Sequence, residues 1–397
     1  MIETVRFDFT LPTSVIFGEG TSELLADQVV RLGMERPLLV TDSFVAGTPD
    51  LERAAEGCAE LGVSVEVWDG VRPNAPDRSV EAGLMRYLEA SCDGLIGYGG
   101  GSSIDTAKGI GVLASTDGVL SDYFLPDGAP VADLPPLLAV PTTAGTGSEV
   151  THVAVIKDVE KGEKFAIRHP ALRPSACIVD PLLTESMPPP LTIATGLDAL
   201  SHALECFTST RAGPISDVLA WRSLELIARA LPEAIREGAN LEARADMSLA
   251  ATLAGMAFSN SALHIGHRLS KAITGRYHVP HGLACGLTMP AMLSFIESAR
   301  AGKVTRIAQL FGSDDDLRVA ETGAGGVCLR RWMDEVGVPT IEDATGGTAA
   351  DIPELAAAAV ARGPNETSPR SMDFGGYAWI LERTFQTEAS LGDSPRS

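Results

Sequence analysis

Short apolar runs that end in turn residues alternate with helix-patterned stretches through the first 187 residues, and this rhythm stops abruptly. The runs are PLLVTDS (37–43), VSVEVWDGV (63–71), DGLIGYGGG (93–101), LPPLLAVPTT (134–143) and ACIVDP (176–181). SELLADQVVRLG (22–33) and VEAGLMRYLEAS (80–91) lie between the earlier ones and carry apolar residues at helical spacing. Strands that are apolar on both faces need cover on both faces. The pattern therefore predicts a mostly parallel sheet with helices on each side. At the proline cluster Met187–Pro190 strand signals fade. Ala- and Leu-rich helical segments take over: 217–235, 244–258 and 352–361. The expected fold is an α/β N-terminal domain with a parallel sheet over residues 1–187, followed by an all-helical C-terminal domain over 188–397. The closing EASLGDSPRS reads as a polar, frayed tail.

A formal charge of −21 argues against nucleic acid or an anionic membrane as partner, and makes any local basic cluster notable. The six cysteines show no CxxC spacing, so they read as small buried hydrophobes in a reducing compartment. The N-terminus lacks the apolar core of a signal peptide. The longest apolar stretch, near Gly282–Leu293, is far short of the ~20 residues that cross a bilayer. The expectation is a cytoplasmic enzyme with a small-molecule substrate.

Four residues carry the chemistry of the second half. Asp198 and His202, in GLDALSHALE, stand at i, i+4 in a helical segment and leave the same face one turn apart. His267 and His281 follow, fourteen residues apart, with Pro280 restricting the backbone before the second. Histidine is scarce here, seven in 397 residues, yet four fall between 264 and 281. One carboxylate and three imidazoles suit a divalent metal such as Fe²⁺, Zn²⁺, Mn²⁺ or Co²⁺.

In the first half, GYGGGSSIDTAKGIGVL (97–113) passes from a buried strand through Gly99, Gly100 and Gly101 into a helix. Glycines let backbone N–H groups approach a phosphate, and Ser102 or Ser103 is placed to cap the helix. PTTAGTGSEVT (141–151) supplies a second small-residue loop after another strand. Together they predict a crevice at the carboxyl ends of parallel strands. Asp42, ending the PLLVTD run, is placed to accept from a ribose 2′-OH and to repel a 2′-phosphate.

Gly99–Ser102 with Asp105 and Lys108, then PTTAGTGSEVT, MPPPLTIATGLDALSHALE and HVPHG, resemble the iron-containing (group III) alcohol dehydrogenase family in order and spacing. The likeness runs from about residue 8 to 385 and is weakest beyond 300. The resemblance implies a dinucleotide-binding domain, a helical metal-binding domain, and a cleft between them. It further implies NAD(P)-dependent interconversion of an alcohol and a carbonyl compound, in a homodimer or larger homo-oligomer. Carried over by position, Asp198, His202, His267 and His281 match the metal ligands, with Fe²⁺ favoured and Zn²⁺ able to use the same set. Gly99, Gly100, Gly101 and Ser102 match the pyrophosphate loop, and Asp42 the position that selects NAD(H). Asn74, Asp105, Thr142, Thr143, Ser148 and Lys164 complete the expected cofactor site.

Two positions depart from the family pattern. Lys271 stands where many members have a second histidine one turn beyond the third ligand, and His264 replaces a common glycine. Lys271 and His267 are the candidate catalytic residues. Arg268, Lys271, Arg276, His278, Asn365 and Phe258 are the candidate substrate contacts. Basic residues near the metal ligands, in so acidic a chain, point to a small anionic aldehyde such as phosphonoacetaldehyde or sulfoacetaldehyde. A neutral short-chain aldehyde or lactaldehyde is the alternative, and a dehydroquinate-synthase-like lyase or cyclase the competing class. The proton for the alkoxide has three possible sources: water at the metal, a ribose hydroxyl, or Lys271 with its pKa lowered by the nearby cation.

Overall fold

The computed structural model describes residues 6–125, 128–313 and 324–386; the C-terminal EASLGDSPRS lies outside them. The chain forms two compact units. One comprises Thr10–Met187 and Ala239–Ser259, the other Met1–Phe9, Pro188–Gly238 and Asn260–Ser397.

The first unit is built on a six-stranded sheet. Its strands are β1 (Ser14–Phe17), β2 (Pro37–Val40), β3 (Glu66–Trp68), β4 (Gly94–Gly99), β5 (Leu137–Pro141) and β8 (Ala176–Val179). They lie in the order β1-β8-β5-β4-β2-β3, and every neighbouring pair is parallel. Helices α1 (Leu25–Arg31), α2 (Ser43–Ala46), α3 (Pro49–Glu60), α4 (Asp77–Glu89) and α5 (Gly101–Ser115) connect them. The strand period of two sorts the core. Leu38, Val40 and Leu95 join Ala107 and Ile110 of α5 on one face. Leu39, Ile96, Tyr98 and Leu138 join Leu25, Val29 and Leu51 on the other. Both faces are covered, which is why β2, β4, β5 and β8 are buried at every position.

Two features went unread in the sequence. The four-residue β1 is one, and the antiparallel hairpin β6 (Val153–Asp158) and β7 (Glu163–Arg168) is the other. Sequence order also assigns 239–259 to the helical half, whereas these residues group with the sheet. Glycines at 147 and 255 let the backbones touch, since a Cβ on Gly147 would lie 2.6 Å from Gly255 Cα. Thr252 donates to the buried Glu149 carboxylate at 2.8 Å.

The second unit is helical among its described residues. It holds α6 (Pro189–Thr208), α7 (Pro214–Arg236), α9 (Ile265–Tyr277), α10 (His281–Phe311), α11 (Ala324–Glu335), α12 (Ile341–Thr345), α13 (Ile352–Val360) and α14 (Phe374–Thr384). The intervening α8 (Leu241–Ser261) lies mostly in the first unit. Pro189 opens α6 at a position where the missing N–H costs nothing. Helix α10 runs 31 residues, with non-helical backbone at Arg300. It continues well past the apolar stretch and is long and apolar enough to cross a membrane, but 78% of its apolar window is buried inside the protein. It is a core helix here.

Candidate metal and nucleotide sites

Asp198 and His202 leave one face of α6 as their spacing requires, and His202 Nε2 lies 3.8 Å from Asp198 Oδ1. His267, in the first turn of α9, stacks on His202 with ring centroids 4.7 Å apart. His281 is the first residue of α10, entered through Pro280, and its ring stands edge-on to His267 at 5.5 Å. The structure thus brings all four expected ligands together. The donor atoms of Asp198, His267, His281 and Cys285 all lie within 4.8 Å of one another; His202 is outside that set and stands beside it, stacked on His267. His267 Nε2 is buried without a hydrogen-bond partner, 3.9 Å from Asp198 Oδ1. Leaving such an atom unpaired costs free energy unless something else satisfies it, and a metal cation does. The donor set fits a divalent ion.

Glu205 holds this arrangement and had no role in the sequence reading, although it closes the GLDALSHALE motif. It stands three residues after His202 and seven after Asp198, on the same face of α6. Its Oε2 accepts from His264 N at 2.8 Å and from His267 Nδ1 at 3.0 Å; Oε1 accepts from His267 N at 3.0 Å and from Gly266 N. Burial raises the Glu205 carboxyl, but the facing His267 and His264 and the N–H donors outweigh it and bring it down to about 2. An ionised carboxylate on Nδ1–H directs Nε2 of His267 toward the metal donors, as second ligand layers commonly do. His264 is buried; its backbone N–H serves Glu205 and its ring Nε2 meets Thr208 Oγ1 at 3.0 Å.

The expected substrate residues scatter. Lys271 is half-buried on α9, one turn beyond His267. Arg268 donates instead to the carbonyls of Gly363 and Pro364, at 2.8 and 3.0 Å. Arg276 is exposed and paired with Asp351 and Glu354. His278 is exposed in the left-handed conformation that ends α9 (φ 58°). Asn365 Nδ2 donates to Tyr377 Oη at 3.3 Å. Phe258 lies on α8, half-buried.

In the other unit, β2 and β4 are sheet neighbours where the strand order reverses, the place at which open parallel sheets bind ligands. Gly99 ends β4 with φ +146°, and a Cβ there would lie 2.4 Å from Ser103 Oγ. Helix α5 starts at Gly101 with Gly100 as its N-cap, and no side chain caps it. Neither serine behaves as the expected cap: Ser102 Oγ accepts from Asn74 N at 3.1 Å instead. Asn74 itself has φ 69°. An open helix N-terminus beside a turn without side chains fits a pyrophosphate. Thr142 N ties its loop to Gly99 O at 3.0 Å, and Thr143 lies 3.4 Å from the Cβ position of Gly100. Asp42 stands two residues beyond the end of β2 and caps α2, Oδ1 accepting from Phe44 N (2.9 Å) and Val45 N (3.0 Å). Its Oδ2 lies 3.9 Å from the Cβ position of Gly99.

Asp105 and Ser148 are engaged with each other through Ser148 Oγ, and Asp105 Oδ2 accepts from Val155 N at 2.9 Å. The buried Lys108 donates to Ser148 O, Thr151 O and Val153 O at 2.7 to 3.0 Å, joining α5 to the 148–153 segment. These three brace the cradle. Lys164 sits on β7 opposite Lys157.

Two family models match the chain: iron-containing alcohol dehydrogenase over residues 12–181, and the C-terminal domain of the Fe-containing alcohol dehydrogenase family over 192–384. A choline dehydrogenase of Bacillus subtilis (strain 168) is 36% identical over 384 residues, covering 95% of this chain and 94% of that protein. The crystal structure of a 1,3-propanediol oxidoreductase superposes with a TM-score of 0.89 at 34% identity, covering 96% of this chain and all of that one. A sulfoacetaldehyde reductase from Bifidobacterium kashiwanohense, solved with NAD⁺, gives 0.84 at 29% identity over 96% of this chain and 100% of its own. The two family models between them cover both halves of the chain. The chain belongs to the iron-containing alcohol dehydrogenase family, and it is an NAD-dependent alcohol oxidoreductase.

Proposed function

We propose that this enzyme reduces a small aldehyde bearing an anionic group to the alcohol with NADH, the two-carbon phosphonate and sulfonate aldehydes being the leading candidates. The observation that carries this is Lys271, one helical turn beyond His267 on α9 in a chain of net charge −21. An ammonium there supplies a charge-assisted partner for an anion one or two carbons from the carbonyl. The similarity to a sulfoacetaldehyde reductase supports the same reading.

When bound, the nicotinamide supplies hydride and a divalent metal, read as Fe²⁺ by family, polarises the substrate oxygen as a Lewis acid. The chain's own residues orient and hold. Glu205 fixes the tautomer and angle of His267. Asp198, His202, His267 and His281 present their donors from three helices. Gly99 to Gly101 and the start of α5 seat the pyrophosphate, and Asp42 favours a ribose 2′-OH over a 2′-phosphate. Lys271 grips the anion.

A second reading, a neutral short-chain aldehyde or diol, draws on the engagement of Arg268 and Arg276 elsewhere and on the likeness to a 1,3-propanediol oxidoreductase. The test is Lys271→Ala assayed on an anionic and a neutral aldehyde of equal length. The anionic substrate should lose about 2–5 kcal/mol in kcat/KM, the cost of removing one member of a desolvated charge pair, and the neutral one much less. Equal losses would sink anion recognition by Lys271.

A further inference from the structure

Helices α6 and α10 each carry donors at i and i+4: Asp198 and His202 on the first, His281 and Cys285 on the second. The two backbones meet beside the second pair. A Cβ on Gly282 would lie 2.0 Å from Ala194 O and 2.6 Å from Asp198 Cβ, and one on Gly286 would lie 2.8 Å from Leu197 Cβ. No side chain separates the helices at these two glycines, and Cys285, three residues after Gly282 and four after His281, lies on the same side of α10 as they do. Cys285 is fully buried, with Sγ 3.6 Å from His281 Nε2. Cys58, Cys92 and Cys177, by contrast, sit in aliphatic clusters as ordinary small hydrophobes.

Two donors on one ion are separated by at most the sum of their bond lengths, about 4.4 Å for sulfur and nitrogen on zinc. The spread of 4.8 Å or less among Asp198, His267, His281 and Cys285 is within a few tenths of that limit. We propose that Cys285 is a ligand of the metal, making the centre a mixed thiolate, imidazole and carboxylate site. This rests on the metal-binding reading of Asp198, His267 and His281 and adds a donor to it. The thiol gives up its proton to solvent as the metal–sulfur bond forms, and no electrons are exchanged. A soft sulfur donor tilts selection toward thiophilic ions such as Fe²⁺, Zn²⁺ and Co²⁺ and away from Mg²⁺ and Mn²⁺.

The full-length protein, stripped by chelation and reloaded with Co²⁺, should bind one equivalent and show a sulfur-to-cobalt charge-transfer band in the near ultraviolet. Cys285→Ser should keep the cobalt and lose the band, and its preference for Zn²⁺ over Mn²⁺ should fall by roughly tenfold or more, no less than loss of an outer-layer partner costs. Cys285→Ala serves the same purpose should the serine fail to fold. One bound cobalt without the band in the wild type, or a band that survives in either variant, overturns ligation by Cys285 alone. No bound cobalt in the wild type overturns the metal centre itself and this ligand with it.

Discussion

Asp42 caps α2, and the proposed function gives the same carboxylate a second task in cofactor choice, so a clean test must separate the two. Oδ1 caps α2 through Phe44 N and Val45 N, while Oδ2 faces Gly99 at the strand ends. Asp42→Gly removes cap and charge together, and losing a cap side chain costs up to about 2 kcal/mol. Asp42→Asn keeps an acceptor for the cap and removes only the charge. It should retain thermal stability and raise the kcat/KM ratio of NADPH to NADH. An unchanged ratio in this variant, or equal use of both cofactors by the wild type, would remove Asp42 from cofactor choice. At this scale the sequence was readable where a scarce histidine stood at helical spacing from a carboxylate, as His202 does from Asp198. Cys285 was hidden because its partner is His281 on a helix whose start the sequence marked only by Pro280. Glu205 was hidden because a glutamate in a helix is ordinarily a solvated one, and only packing shows this carboxylate to be fully buried beneath His267.

The β6–β7 hairpin and the end of α8 meet at His152, whose Nδ1 lies 2.8 Å from Ser259 Oγ. Burial pushes this imidazole down to about 4, and Arg173, Arg168, Lys108 and His169 add like charge in the same direction. A histidine near 6.5 when unfolded and near 4 when folded binds fewer protons in the native state throughout that interval. Its effect is therefore absent above pH 6.5, and stability is lost as pH falls toward 4. With the ring partly exposed, solvent screening reduces the loss to roughly 1–2 kcal/mol. Urea unfolding of wild type and His152→Asn at pH 6.5 and at pH 4 should show the wild type losing that much more than the variant. Parallel losses would show that His152 does not titrate with folding. The hairpin that positions it escaped the sequence reading for a physical reason. Its second strand is mostly half-exposed or exposed, EKFAIR, so it lacks the apolar run that revealed β2, β4 and β5. The serines of the α5 turn misled in the opposite way. Ser102 has the right chemistry for a cap, but the Asn74 backbone, at φ 69°, claims its oxygen.

For the whole molecule, the division into a sheet-based and a helical unit gives each proposed ligand its own set of elements. Every candidate metal donor, with Glu205, belongs to the unit of Pro188–Gly238 and Asn260–Ser397; the dinucleotide cradle belongs to that of Thr10–Met187. A ligand that binds only the folded form stabilises by about 2.7 kcal/mol at a hundredfold excess over Kd, and this appears in the elements that it holds. Adding Zn²⁺ or Fe²⁺ to chelated protein should therefore slow amide exchange first in α6, α9 and the start of α10. NAD⁺ alone should slow it in the β4–α5 turn, the 142–148 loop and the end of β2. The helical unit should lose more on chelation, because stripping the metal leaves the buried Asp198 carboxylate and the buried Nε2 of His267 among three packed helices without the cation. Metal-dependent protection confined to the sheet would contradict the donor assignment, and NAD⁺ protection confined to α6 and α10 would contradict the cradle.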